Sequence, residues 1–350
     1  MLKSPVFRKY FLPGFVFQSV LIGGGYGTGR ELVEFFLTLG PLSGLLAMLL
    51  VSTVIWSIVF AVTFELARLT RAYDYRTFTR LLLGRAWWLY EICYLLLLPL
   101  VIAVLAAAAG SILEETFHLP YFLGVAVMVL SIAFLVFKGT PSIEKFLASW
   151  SLVLYAIYVV FFILCLSQFG DQIYAKLFSV ELHSDWILNG IKYAGYNLGG
   201  IPAILFALRH IETRKEAVSA GLLAGPIGIL PGVFFYLSMV GQYPGIVEQT
   251  VPANYLLTVL GSKAFQLTFQ IMLLGTLIET GTGLIHAFNE RIAGVFKEKS
   301  ATMPSYLRPA IAVGILIVAT IGSRFGLIHL IEKGYGTITW GFLILFVVPV

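Results

Sequence analysis

Gly23-Gly24-Gly25-Tyr26-Gly27-Thr28-Gly29-Arg30-Glu31 interrupts the first apolar stretch of the chain, with residues 11–22 on one side and 32–39 on the other. Neither apolar half can cross a bilayer alone, since a spanning helix needs about 20 residues at 1.5 Å rise. The glycines therefore fall at membrane depth, where non-helical backbone persists only if it lines a protein cavity. Thr28, followed three positions on by Glu31, reads as a capping box: the hydroxyl takes the Glu31 N–H and the carboxylate returns to the Thr28 N–H. On that reading Gly29 opens a second half-helix and Glu31 is a cap rather than a ligand. The free N–H groups, with Arg30 beside them, suit a carboxylate or other small anion. The competing reading is an unbroken helix with two packing motifs, Gly23/Gly27 and Gly25/Gly29. Five glycines in seven residues, followed by a helix-start signal, favour the break. No strand precedes the glycines, so a dinucleotide loop does not fit.

The rest of the composition agrees with a membrane setting. The chain is 59% hydrophobic and 12% charged, with a mean hydropathy of +0.92 and repeated apolar runs of spanning length, which predicts an all-α polytopic membrane protein. The longest stretch outside those runs, residues 170–185, is too short to bury a core of its own. Lys3, Arg8 and Lys9 precede a glycine-broken segment with no small-residue cleavage site, so the N-terminus reads as retained rather than as a signal peptide. Cys93 and Cys165 lie in apolar runs and read as packing residues. No nucleic-acid motif accompanies the net charge of +5.

Taken in order, the spans are expected at 41–69, 87–113, 120–137 and 144–168 after the broken first helix. The second half follows with 186–207, 217–239, 264–292, 309–322 and 336–350. Residues 71–85 form a basic connection suited to a membrane-surface helix, and 251–260 form a short outer helix. The sixth span is interrupted at Tyr196-Asn197-Leu198-Gly199-Gly200-Ile201-Pro202, with Pro202 placed for the first turn of a restarted helix. A cytoplasmic N-terminus puts Lys3, Arg8, Lys9, Arg68, Arg71, Arg76, Arg80, Arg85, Lys138, Lys145, Arg209, Arg214, Lys215, Arg291, Lys297, Lys299 and Arg308 inside. Only Lys176, Lys192, Lys263, Arg324 and Lys333 fall outside, so the chain reads as multi-pass in a cell membrane with both termini cytoplasmic.

The two broken helices are numbers one and six, each followed by four more spans. Because five is odd, the second half is inserted upside down, giving a single domain of two inverted repeats, 1–169 and 186–350, joined by an extracytoplasmic linker at 170–185. Paired interruptions in inverted halves point to a secondary transporter with its site at the midplane.

Ser19-Val-Leu-Ile-Gly-Gly-Gly-Tyr-Gly-Thr-Gly-Arg30-Glu31-Leu-Val-Glu34-Phe-Phe and Glu279-Thr-Gly-Thr-Gly-Leu-Ile-His286-Ala-Phe-Asn-Glu-Arg291 resemble the first- and eighth-helix signatures of the YkvI-type membrane proteins. Those in turn resemble the amino acid, polyamine and organocation transporters, whose LeuT-type fold has about ten helices in two inverted halves. The resemblance covers essentially the whole chain and implies a solute site between the breaks, against spans three and eight. On the matching positions it would be lined by Gly23, Gly24, Gly25, Tyr26, Gly27, Tyr196, Asn197, Gly199 and Gly200, with Arg30 where relatives keep an outer-gate arginine. Sodium-coupled relatives place an ion near the eighth helix, which implies Thr280, Thr282 and Gly283 here, with Na+ at Thr280 and Thr282. This chain departs from that pattern by placing Glu279 among them.

Gly275, Glu279, Thr282 and His286 share one helix face. A carboxylate in mid-membrane needs a partner, a proton or a cavity, so Glu279 is either ion-paired, with Arg30 as mate, or a proton or cation carrier. His286 is a proton relay or a packing histidine. The expectation is a secondary transporter of a small amino acid or amine, coupled to Na+ or H+ and needing no other cofactor, with solute and bilayer as partners. The alternative is a receptor of the same fold that binds without transport. No HExxH, paired-aspartate or serine-nucleophile arrangement points to an enzyme.

Overall fold

The computed structural model describes residues 5–22, 26–138, 140–179, 181–298 and 300–350, and every regular element among them is helical. Lys3, Gly23, Gly24, Gly25 and Lys299 lie outside the described residues. Among the described residues, six helices are long and apolar enough to cross a membrane: Pro41–Thr70, Tyr75–Phe117, Ala156–Leu177, Arg214–Val240, Lys263–Ala293 and Leu327–Val347. Tyr121–Phe137 and Leu307–Ser323 are shorter apolar helices.

Two boundaries differ from the sequence expectation. The fifth helix, Thr140–Leu177, continues through much of the stretch expected as linker. Phe169 and Ile173, one turn apart, are buried there, and both sit against Gly241. The tenth span begins at Leu327 rather than 336, just after Gly326 turns the chain at φ 78°. It carries Glu332 and Lys333 through a π-helical stretch, Leu330–Tyr335.

The chain divides into two compact units, Met1–Leu97 with Phe169–Glu248 and Glu332–Val350, and Leu98–Gln168 with Gln249–Ile331. In the first unit, the second and seventh spans meet backbone to backbone. A Cβ on Gly221 would lie 2.3 Å from the Ala61 nitrogen, and one on Gly225 would lie 2.6 Å from the Thr53 carbonyl oxygen. Small residues one turn apart permit this approach, which maximises van der Waals contact where lipid offers no hydrophobic drive. The first helix, Leu12–Leu21, packs along the same seventh helix, with Phe17 against Gly228 and Gln18 Nε2 donating to the Ile227 carbonyl at 2.8 Å. Phe17 also meets Trp56 and Phe60 edge-on, with centroids 4.9 and 4.6 Å apart, a favoured aromatic geometry.

The seventh helix starts in a capping box: Thr213 Oγ1 accepts the Glu216 N–H at 3.2 Å, and Glu216 Oε2 accepts the Thr213 N–H at 3.1 Å. Ahead of the first span, Lys9 donates to Glu212 and Glu216 at 2.8 and 2.9 Å. These carboxylates hold the Lys9 ammonium above the usual lysine range. The basic connection holds a short helix, Tyr75–Leu83, capped by Asp74, with Arg80 and Arg76 over the Trp87 ring at 4.6 and 5.6 Å.

The second unit is packed by small residues too. A Cβ on Gly124 would lie 2.3 Å from the Ala109 carbonyl oxygen, and Tyr121 donates its hydroxyl to the Ser323 carbonyl at 2.8 Å. Asn254, on the short helix Pro252–Leu260, donates to Glu115 Oε2 at 2.8 Å and accepts from Gln270.

Candidate functional site

The first unit holds both interruptions. In the first helix, Leu12–Leu21 is followed by a widened turn in which the Gly27 N–H reaches back to the Ile22 carbonyl at 3.1 Å. Gly29 then adopts φ 79°, and a short helix restarts at Arg30–Phe35. The break is therefore present, although Gly23, Gly24 and Gly25 lie outside the described residues.

The capping box expected at Thr28 and Glu31 does not form. With Gly29 in the left-handed region, the restarted helix begins one residue later than that motif requires, and Thr28 Oγ1 accepts the Arg30 N–H at 3.2 Å instead. Glu31, freed from capping, is 1% exposed and accepts a hydrogen bond on Oε2 from the Tyr196 hydroxyl, 165 residues away. Its Oε1 is buried with no hydrogen-bond partner among the described residues. Glu31 thus bonds across to the sixth helix and does not cap its own, contrary to the sequence reading.

The sixth helix, Trp186–Asn197, gives way to two 3-10 segments, Leu198–Ala203 and Leu205–His210. Pro202 sits inside the first of these, not at the start of a new α-helix as expected. A 3-10 segment keeps fewer residues per turn and poorer hydrogen-bond geometry, and accommodates the Gly199-Gly200-Pro202 sequence that an α-helix would not. The end of the first helix meets the sixth-helix break: a Cβ on Gly200 would lie 3.0 Å from Val20 Cγ1 and 4.0 Å from Val20 Cβ. Gly199 is closed off by Leu97 and Phe342, each at 2.9 Å from its would-be Cβ.

An aromatic cluster is built around Tyr196, the donor to Glu31. Tyr196 stacks on Tyr335 of the tenth span at 4.7 Å and on Phe35 at 5.5 Å. Tyr193 meets Phe35 and Tyr196 edge-on at 5.4 and 5.5 Å. The backbone of the sixth helix is fixed from behind: Trp56 Nε1 donates to the Ala194 carbonyl at 3.1 Å and Ser52 Oγ to the Gly190 carbonyl at 2.9 Å. Asn197 is buried and donates to the Tyr193 carbonyl at 2.9 Å. Tyr26 is fully buried and donates to the Gly228 carbonyl at 3.3 Å.

Arg30 is buried. Its Nη1 donates to the Val247 carbonyl at 2.8 Å, and its Nη2 pairs with Glu34 Oε2 at 2.8 Å. Four residues apart on one helix, the two charges balance one another.

The expected ion-coupling residues all fall in the second unit, on the helix Lys263–Glu298. Thr282 is fully buried, and its hydroxyl has no partner among the described residues. Glu279, Thr280, Gly283 and His286 are half-buried. Tyr193 and Tyr196 suit an aromatic wall on sequence grounds, but Phe35 and Tyr335, and the link of the cluster to Glu31, carry no local signal because the partners are distant in the chain.

No protein-family model matches the chain. It is 24% identical over 264 residues to the uncharacterized membrane protein YkvI of Bacillus subtilis (strain 168), covering 71% of this chain and 74% of that protein. Its structure is similar to that of MhsT in complex with L-phenylalanine, with a TM-score of 0.62 at 15% identity over 95% of this chain and 87% of that one. The manganese transporter of Eremococcus coleocola gives a TM-score of 0.59 at 16% identity, over 98% and 76% of the two chains. A Na+-coupled sialic acid symporter gives 0.53 at 12% identity, over 99% and 84%. The protein is therefore an all-helical membrane protein with the LeuT-type fold, its first and sixth helices discontinuous.

Proposed function

We propose that the chain is a secondary active transporter of a small amino acid or amine-type solute, working by alternating access and coupled to Na+ or H+. The observation that carries this reading is the meeting of two interrupted helices within one unit, at Val20 with Gly200 and at Glu31 with Tyr196. Interrupted helices leave main-chain groups unpaired at membrane depth, which is how this class of fold holds a small polar solute. The solute would lie along residues 23–27 and 196–200, with Arg30 and Asn197 nearby. The phenylalanine named with MhsT and the sialic acid of the symporter are both small carboxylates, which supports a solute of that chemistry. The Thr282 hydroxyl, buried without a hydrogen-bond partner among the described residues, supplies one oxygen of the kind a hard cation takes, and supports Thr280 and Thr282 as a sodium candidate, with Glu279 and His286 as the alternative proton route.

On the same reading, residues 1–169 and 186–350 form inverted repeats in a cell membrane, with both termini cytoplasmic. Purified protein in liposomes, loaded with either a sodium or a proton gradient, tests the proposal against a panel of labelled amino acids and amines. Gradient-driven accumulation of one of them is expected. Saturable binding of a panel member without any flux would replace transport by reception.

A further inference from the structure

The geometry points to Glu31 as a proton-carrying carboxyl through which solute movement is coupled to H+, an inference that rests on the transporter reading above. Three observations converge on it. Glu31 is 1% exposed, on the short helix that restarts after the break. One carboxyl oxygen accepts the Tyr196 hydroxyl, while the other is buried without a hydrogen-bond partner among the described residues. Among the described residues, no lysine, arginine or histidine nitrogen lies within 4.0 Å of it, and the neighbouring Arg30 is paired with Glu34. A carboxylate withdrawn from water without a countercharge is strongly disfavoured, and the group escapes that cost by keeping its proton.

The groups facing Glu31 are consistent with this. From the sixth helix they are Tyr193 and Tyr196; from the tenth, Tyr335; and on its own helix are Arg30 and Glu34, while Tyr26, before the restart, donates to the Gly228 carbonyl. The tyrosines are neutral hydroxyls and Arg30–Glu34 is a balanced pair. Phe35 and Tyr335 stack on Tyr196, and Tyr193 meets Phe35 and Tyr196 edge-on, so these ring neighbours carry no positive charge. In the buried arrangement Oε1 carries the proton and Oε2 accepts from Tyr196. When the restarted helix moves and Oε1 meets water, the O–H bond breaks, the proton passes to water, and the carboxylate keeps the Tyr196 hydrogen bond. Reburial takes one proton back.

Two measurements test this. First, an infrared difference spectrum between wild type and Glu31→Gln, with no solute present, reads the protonation state directly. A carboxylic-acid C=O band present at neutral pH in wild type, missing in the variant and lost at higher pH, is the expected result. Carboxylate bands alone at neutral pH overturn the proposal. Should Glu31→Gln fail to fold, the same band followed in Tyr196→Phe, which removes the donor to Oε2 and so favours the protonated form, is expected to persist to higher pH; an unmoved band counts against the assignment. Second, liposomes holding a pH-sensitive dye are challenged with labelled L-phenylalanine and then with a mixture of the twenty protein amino acids. Inward proton movement accompanying uptake, abolished by Glu31→Gln, is expected. Uptake that follows sodium and ignores the pH gradient overturns proton coupling while leaving the transporter reading standing. Saturable binding with no flux overturns both.

Discussion

Replacing Gly221 by alanine puts one methyl group between the second and seventh helices. The added Cβ would lie 2.3 Å from the Ala61 nitrogen, 2.4 Å from the Ala61 Cα and 2.6 Å from the Phe60 carbonyl carbon. All three are backbone atoms, so no side chain can rotate away, and the helices must part by roughly 1 Å to reach ordinary contact, near 3.5 Å. Overpacking of this kind costs about 1–3 kcal/mol. Separation also weakens the Gly225 contact one turn on and the hydrogen bond from Ser57 Oγ to the Leu222 carbonyl at 3.0 Å, so the upper half of that range is expected. Thermal unfolding of purified protein in detergent measures it, and the midpoint should fall by several degrees at a few degrees per kcal/mol. Gly314→Ala is the matched control, since a Cβ on Gly314 meets nothing within 4 Å in the helix Leu307–Ser323. That change should be neutral or stabilising by roughly 0.4–1 kcal/mol. Equal midpoints for Gly221→Ala and wild type would refute the close approach of the two helices.

Tyr196→Phe removes the donor to Glu31 Oε2 and leaves both carboxyl oxygens buried and unbonded, for a loss of about 1–3 kcal/mol in the same unfolding assay. Thr213→Ala removes one half of the capping box on the seventh helix and should cost about 0.5–2 kcal/mol; hydrogen exchange should quicken in the first turn of that helix and not elsewhere. The folded protein holds the Lys9 ammonium above the usual lysine range through Glu212 and Glu216. That contribution is fully present below the ordinary lysine value and is lost as pH rises through the raised one. Lys9→Met should therefore flatten the fall in stability on the alkaline side and leave the neutral region nearly level with itself, read from unfolding midpoints against pH.

The two interruptions were legible because glycine and proline carry their conformational meaning locally. The clustered glycines of the first helix and Gly199-Gly200-Pro202 in the sixth lower helix propensity where they stand, although Pro226 and Pro231 lie inside the seventh helix. A short helix in the basic connection after the second span was legible from its run of arginines, and the structure adds its Asp74 cap. The role of Glu31 was not. Thr28-Gly-Arg-Glu31 and Thr213-Arg-Lys-Glu216 carry the same capping signature, yet only the second forms the box. The difference is Gly29, whose φ of 79° removes the first residue of the expected turn, and a glycine leaves that choice open to tertiary packing. Tyr196 then supplies a partner from 165 residues away, a distance across which no local pattern reaches. The Gly221/Gly225 pair had a visible signal, small residues four apart in an apolar helix, whose partner surface at Ser57 and Ala61 only the packed structure identifies.

The meeting of the first and sixth helices is tested most directly by Val20→Cys with Gly200→Cys, made in a background where Cys93 and Cys165 are replaced by alanine. A Cβ on Gly200 lies 4.0 Å from the Val20 Cβ, inside the range of about 3.5–4.5 Å that a disulfide requires. Mild oxidation of the membrane-embedded protein should form the bond, protect both thiols from labelling and release them on reduction. Two thiols that remain fully labelled after oxidation would show that the interrupted helices do not meet at Val20 and Gly200.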